Sequence, residues 1–187
     1  MGRDVVELLD ALHLGRVHFL GLSLGGFVGQ WLGIYAPQRL EKLILANTSS
    51  YLGPSPQWDA RIRQLQSSPD MVAVAQGFLE SWFSVEFIKT QPETVEIFRA
   101  MLLTTPPHGL AGSFAAVRDT DLRRTAPLIN LPVLIIAGQY DTVTALSHSE
   151  ALAALLPQAQ LKVFPVVHLS NIERPSEFMQ WVREFLR

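Results

Sequence analysis

Five residues near the start of the chain, Gly21-Leu22-Ser23-Leu24-Gly25, limit what it can fold into more than any other segment. A strand-like run, Arg16-Val17-His18-Phe19-Leu20, leads in, and a helix-like run, Phe27-Val28-Gly29-Gln30-Trp31-Leu32, leads out. So sharp a reversal from strand to helix forces its central residue into a strained backbone conformation. Glycines two residues to either side let the flanking chain pass close by. The serine hydroxyl then stands clear of the sheet, and the helix N-terminus behind it favours developing negative charge. A glycine-rich turn with a solvated serine would carry the same five residues, so the segments that follow decide between the two.

Those segments alternate. Residues 4–13 read as a helix with Val5, Val6, Leu8, Leu9 and Leu12 on one stripe. A buried strand follows over 16–22. The helix over 24–36 carries Gly25, Gly29 and Gly33 at steps of four, which costs roughly 1 kcal/mol each against alanine and implies close approach to a sheet. Pro37 stops it, and residues 40–46 form a second buried strand. From Ser55 to about Asp121 the signals are helical throughout, cut into pieces by Pro56, Pro69, Pro92 and Pro106-Pro107. Aromatic residues from Trp58 to Phe114 line that segment; at helical spacing they read first as core. The strand at 132–138, a helix at 145–156, a strand at 161–164 and an amphipathic helix from Glu173 to Arg187 complete the chain. Strand–helix alternation predicts a parallel, doubly wound α/β sheet. Residues 1–54 and 122–187 form its core, and residues 55–121 an inserted all-helical cap.

Function in such sheets collects at the carboxyl ends of strands. Ser23 follows the first strand. Asp141 follows the third, after Gly138-Gln139-Tyr140, and His168 follows the fourth, after Pro165-Val166-Val167. The chemistry of the three types fits together. A serine is a poor nucleophile until a neighbouring base takes its proton. A histidine can do that near neutral pH, and an aspartate can hold the imidazole tautomer. The chain order Ser, Asp, His is that of α/β-hydrolases. Taken singly, His168 would pass for a loop histidine and Asp141 for a helix-capping residue; their matched strand-end positions argue for a triad. His13, His18, His108 and His148 lack that placement and read as structural or solvated.

Composition closes other routes. The net charge of −2 supplies no basic field for nucleic acid or anionic lipid. The chain has no cysteine, hence no disulfide framework, thiolate nucleophile or cysteine-ligated metal, and its five histidines have no metal-ligand spacing. No apolar run approaches the ~20 residues of a membrane span, and the N-terminus lacks a signal-peptide or myristoylation pattern. No metal, cofactor, nucleic-acid or membrane partner is expected, and a cytoplasmic location is.

Gly21-Leu22-Ser23-Leu24-Gly25-Gly26-Phe27-Val28-Gly29-Gln30-Trp31-Leu32-Gly33, with Leu45-Ala46-Asn47-Thr48 after it, resembles the 3-oxoadipate enol-lactonases of the α/β-hydrolase superfamily. So do Met101 to Pro107, Arg118 to Arg123, and His168-Leu169-Ser170-Asn171-Ile172-Glu173. The resemblance runs through essentially the whole chain. It implies a cofactor-free enzyme of aromatic catabolism that opens a carboxylated enol-lactone with water, giving 3-oxoadipate. Ser23, Asp141 and His168 match the family triad, and Leu24 the residue whose backbone N–H helps form the oxyanion hole. A carboxylated substrate calls for a cation in the helical segment. Of Arg61, Arg63, Lys89, Arg99 and Arg118, the last is selected because the cap returns to the sheet there; a surface arginine paired with Asp119 or Asp121 is the competing reading. Trp82 is expected to supply an apolar wall.

Two departures from the family stand out. Val167 takes the place of a smaller residue before His168. The family also has several strands ahead of the first helix, with a loop that donates the second oxyanion N–H; only 22 residues precede Ser23 here. On that reading the N-terminal strands are missing, the strand at 16–22 becomes an open edge, and self-association through that edge is expected. Loss of one oxyanion donor costs about 10²–10³ in turnover. Other readings stay open: another α/β-hydrolase, such as a carboxylesterase or a cofactor-free haloperoxidase-like protein, or a non-catalytic binding protein on a truncated hydrolase scaffold. A small lactone or ester is the expected partner in the first two.

Overall fold

The computed structural model describes residues 1–67 and 69–187. Helix α1 (Gly2–Ala11) precedes strand β1 (Val17–Leu22), helix α2 (Leu24–Tyr35) and strand β2 (Leu40–Ala46). Five helices follow: α3 (Ser55–Ser67), α4 (Met71–Trp82), α5 (Val85–Thr90), α6 (Pro92–Thr104) and α7 (Pro107–Asp119). Strand β3 (Val133–Gly138), helix α8 (Leu146–Leu155), strand β4 (Ala159–Phe164), the single turn α9 (Ser170–Glu173) and helix α10 (Pro175–Leu186) complete the chain.

The four strands pair in parallel in the order β1-β2-β3-β4. Both faces of the inner strands are covered, which is why they read as unbroken apolar runs rather than alternating ones. Leu43, Leu45, Val133 and Ile135 face one way, against Leu32 of α2, Leu152 of α8 and the Ile129 turn. Ile44, Ala46, Leu134 and Ile136 face the other way, against Phe178 and Val182 of α10. Fully burying an aliphatic side chain of this kind stabilises by about 1.5–3 kcal/mol. β1 pairs only with β2 among the described residues, and Leu20 on it is 42% exposed. It is an edge of the described sheet.

Two details differ from expectation. The apolar stripe of α1 is covered only in part: Leu9 is buried, whereas Leu8 and Leu12 stay exposed. α1 packs chiefly on α2, with Val5 and Val6 turned to the core, and that cover does not extend over the whole stripe. In α2, Gly29 and Gly33 do lie against apolar side chains of the sheet and of Ile129, but a side chain at Gly25 would meet open space.

Helices α3–α7, the segment expected to be the cap, pack in two clusters. α3 packs on α7 through Trp58, Ile62, Leu65, Ala111 and Val117. α4 packs on α6 through Ala75, Leu79, Val95 and Leu102, with Phe83 stacked on Phe87 at 5.0 Å between ring centroids. Pro92 and Pro107 sit in the first turns of α6 and α7, where the absent N–H costs nothing. Asp70 caps α4, accepting from the amides of Val72 and Ala73, and Ser84 caps α5. The cap is strapped to the chain after β4. The Leu169 N–H donates to the Trp82 carbonyl at 3.0 Å, and the Glu173 carboxylate accepts from Ser84 N–H in the cap and from Val167 N–H beside His168.

Candidate active site

The reversal after β1 places Ser23 at φ 55°, ψ −116°, between strand and helix. A non-glycine residue held there costs roughly 1–3 kcal/mol, so its surroundings must hold it. They do so through three bonds: Ser23 N–H to the Ala46 carbonyl at 2.9 Å, Gly26 N–H to the Ser23 carbonyl at 2.9 Å, and Thr48 Oγ1 to the same carbonyl at 2.8 Å. Two glycines of the turn are required by contact, Gly21 and Gly26, and Gly25 is not. A Cβ at Gly21 would collide with the Gly25 carbonyl, and one at Gly26 with the Thr48 side chain. Leu24 opens α2, and among the described residues its N–H has no backbone acceptor.

Asp141 lies in the turn after β3 and is almost fully buried. Its Oδ1 accepts from the amides of Val143 and Thr144 at 2.8 and 2.9 Å. Its Oδ2 accepts from His168 Nδ1 and Thr144 Oγ1, each at 2.8 Å, and from Asn47 Nδ2 at 2.9 Å. Burial is the largest influence on this carboxyl and pushes its pKa up. The bond from His168 and its charge, then Asn47 and the Thr144 amide, outweigh burial and hold the pKa below the ordinary carboxylate value. A carboxylate can only accept, so Nδ1 of His168 carries the proton and Nε2 is left as the basic nitrogen. His168 makes no hydrogen bond to Ser23 among the described residues; its partners are Asp141 and, at 3.5 Å, Thr144. Contacts of that kind commonly tighten only around a bound substrate.

Ser23, Leu24 and His168 share the wall of one cavity of about 830 Å³ between the sheet ends and the cap. Its lining is mostly apolar, with Trp58, Phe78, Trp82 and Phe114 from the cap. Of the two expected substrate contacts, Trp82 lines this cavity and Arg118 does not. Arg118 instead donates to both oxygens of Asp119 at 2.7 and 2.9 Å and to Asp59 at 2.8 Å, on the outer side of α3 and α7. The Asp119 and Asp59 bonds push its pKa above the ordinary arginine value. Asp121 is likewise engaged by Arg123.

Arg61 stands in the cavity wall instead, one helical turn after Trp58. Its guanidinium lies 5.3 Å from the centre of the Trp58 ring, whose Nε1 is tied to the Leu52 carbonyl. Among the described residues that line the cavity, Arg61 is the one arginine or lysine, no aspartate or glutamate is present, and Arg61 makes no ion pair. The signal was present in the sequence as helical spacing: Trp58, Arg61 and Leu65 share a face of α3. His148, read from the sequence as structural or solvated, also lies at this cavity. It is half-buried in the cavity wall, and among the described residues its buried Nδ1 has no hydrogen-bond partner.

The alpha/beta hydrolase fold family matches residues 1–175. The chain is 35% identical to 3-oxoadipate enol-lactonase 2 of Acinetobacter baylyi, over all of this chain and 70% of that protein. Among solved structures, it resembles a hydrolase from Pseudomonas aeruginosa with a TM-score of 0.96 at 57% identity, covering 99% of this chain and 70% of that one. It resembles the enol-lactonase from Burkholderia xenovorans with a TM-score of 0.95 at 31% identity, covering 99% and 71%. The chain therefore spans about 70% of the length of the proteins it matches.

Proposed function

The chain belongs to the α/β-hydrolase family, and from that premise we propose that it hydrolyses a small carboxylated enol-lactone through Ser23, His168 and Asp141. The observation that carries the reading is the shared cavity: Ser23 and His168 on its wall, with Asp141 bonded to Nδ1 of His168 behind it. In the proposed reaction His168 Nε2 takes the Ser23 proton as Oγ attacks the lactone carbonyl. The Leu24 N–H donates to the resulting oxyanion. Collapse breaks the ring C–O bond, and the enol oxygen takes the proton from His168 and relaxes to the ketone. Water, with its proton accepted by His168, then attacks the acyl-enzyme. The second carboxylate is released and Ser23 is regenerated.

The substrate class rests on the cavity's charge. An apolar pocket with one guanidinium and no lining carboxylate favours a compact anion with an apolar body. Arg61 therefore takes the carboxylate-binding role first expected of Arg118, and its seat over Trp58 reduces the freedom lost on binding. The likeness to the enol-lactonases of A. baylyi and B. xenovorans supports the lactone.

The test compares 3-oxoadipate enol-lactone with neutral aryl esters of similar size. A higher kcat/KM for the lactone, with an organophosphonate attached to Ser23 abolishing both reactions, is the expected result. A preference for neutral esters replaces the lactonase reading with a general carboxylesterase. Failure of the organophosphonate to label Ser23 removes the serine-hydrolase reading.

A further inference from the structure

Asn47 sits just past β2, at φ 44°, fully buried, and carries out no step of the proposed reaction. Its backbone N–H donates to the Ile136 carbonyl of β3 at 2.8 Å. Its side chain spends every hydrogen-bonding group on the two loops that hold the acid and the base. Nδ2 donates to Asp141 Oδ2 at 2.9 Å and to the Val167 carbonyl, next to His168, at 3.2 Å. Oδ1 accepts from Ser170 Oγ at 2.5 Å. The carboxylate and the carbonyl can only accept, so the orientation of the amide is fixed by its partners. Gly138 leaves the room: a Cβ there would stand 3.2 Å from Nδ2 and closer still to the Val166 and Val167 carbonyls.

We infer that Asn47 is a positioning residue for the Asp141–His168 pair, sharing the Asp141 oxygen with the imidazole and thereby setting how strongly that oxygen holds an imidazolium. The inference rests on the proposed roles of Asp141 and His168. Oδ2 accepts from three donors, His168 Nδ1, Thr144 Oγ1 and Asn47 Nδ2. Each donor withdraws negative charge from the same atom, so removing the amide leaves more of it for the ring. The imidazolium gains relative to the neutral base, and the free enzyme loses its active form at a higher pH. The same change frees the Val167 carbonyl and loosens the base. Other ionisable groups near His168 are Asp141 after β3, His148 on α8, Glu173, which accepts from the Val167 N–H, and Arg61 across the cavity. None of them is bonded by Asn47 except Asp141.

The experiment is the pH dependence of kcat/KM for a neutral aryl ester in the full chain, normalised to the fraction of Ser23 labelled by an organophosphonate. Asn47→Gly keeps the left-handed backbone and deletes the amide. It is expected to move the acid limb upward by about half to one pH unit and to lower the plateau about tenfold. Asn47→Asp keeps the shape, replaces a donor by an acceptor, and is expected to move the limb further. It also serves if the glycine variant does not fold. Ser170→Ala leaves the amide on Asp141 and should shift the limb least. A limb that stays in place in the folded Asn47 variants, with only stability or plateau reduced, overturns the inference and leaves Asn47 as packing. A parent enzyme whose turnover survives His168→Ala overturns the triad instead, so the two failures are distinct.

Discussion

Around Asp141 the polar groups are closed upon one another, whereas across the cavity the guanidinium of Arg61 has no acidic partner among the described residues. The carboxylate at the sheet ends accepts five bonds from four residues, and the amide beside it is bonded through both its hydrogens and its oxygen. A network of that kind has one arrangement and resists change. The cap presents rings and one cation, which will accept any apolar body carrying an anion at the right distance. The difference separates two tasks. On the proposed function, the sheet ends fix the geometry of the reaction, and the cap chooses what undergoes it. Changes at the sheet ends should therefore act on kcat for every substrate, and changes in the cap on KM for some.

The largest effect belongs to Ser23→Ala. Removal of the nucleophile of a serine hydrolase costs on the order of 10⁶ in kcat. The loss should be equal for lactone and neutral ester, with near-UV circular dichroism unchanged. Unequal losses would blur the division between the two regions.

Asp141→Asn comes next, with a fall in kcat of about 10⁴ from the wrong imidazole tautomer. It also carries a pH signature. The native pKa of Asp141 lies below its ordinary value, so the folded state holds the charged form more favourably than the unfolded chain does. That stabilisation is complete above the ordinary carboxylate range, near pH 4, and is lost as pH falls through the lower native value. Urea unfolding of the parent should show it as a decline on the acid side that Asp141→Asn reduces. Parallel curves would detach the carboxylate from the stability of the sheet end.

The two regions also differ in how far they could be read in advance. Ser23, Asp141 and His168 each follow a strand, and the position of a short buried strand is a local property, written in apolar runs bounded by Gly and Pro. Their convergence then follows from parallel pairing alone. Arg118 is held first by Asp119, the next residue, as the competing reading of the sequence has it; only the further bond to Asp59, 59 residues away on α3, has no local pattern behind it. In the sequence Asn47 has no signal of its own beyond its place in Leu45-Ala46-Asn47-Thr48. Its work arises where the ends of β2, β3 and β4 meet, and it takes the tertiary structure to bring Asp141, Val167 and Ser170 to one amide. The partial exposure of α1 was hidden for the same reason: amphipathicity states which face seeks cover, not how much cover exists.

A smaller effect is expected at the cap cation. Arg61→Ala should raise KM for the carboxylated lactone by about tenfold to a hundredfold, the usual worth of a hydrogen bond to a charged group. Neutral-ester kinetics should stay within about twofold. Salt should weaken lactone binding in the parent and not in the variant. An equal rise in KM for both substrates would make Arg61 a support for Trp58 rather than a reader of charge.

The smallest effect is reserved for Arg118→Ala, and it is the sharper discriminator because the two arginines lie on one cap. Arg118 is spent on Asp59 and Asp119, both at least partly exposed, and lies outside the cavity that Ser23 lines. Its loss leaves Asp59 and Asp119 in solvent, where water and salt replace the partner. KM for the lactone should therefore be unchanged, and the cap should become slightly less stable at low salt, with the difference from the parent shrinking as salt is added. Thermal melts at two ionic strengths, beside lactone kinetics, give both readouts. If Arg118→Ala raised KM for the lactone while Arg61→Ala did not, the cation that reads the substrate would lie on the outer side of α3 and α7. The cap would then have to move to bring it to Ser23, and the division between a fixed sheet end and a selecting cap would give way to a cap whose motion belongs to the reaction.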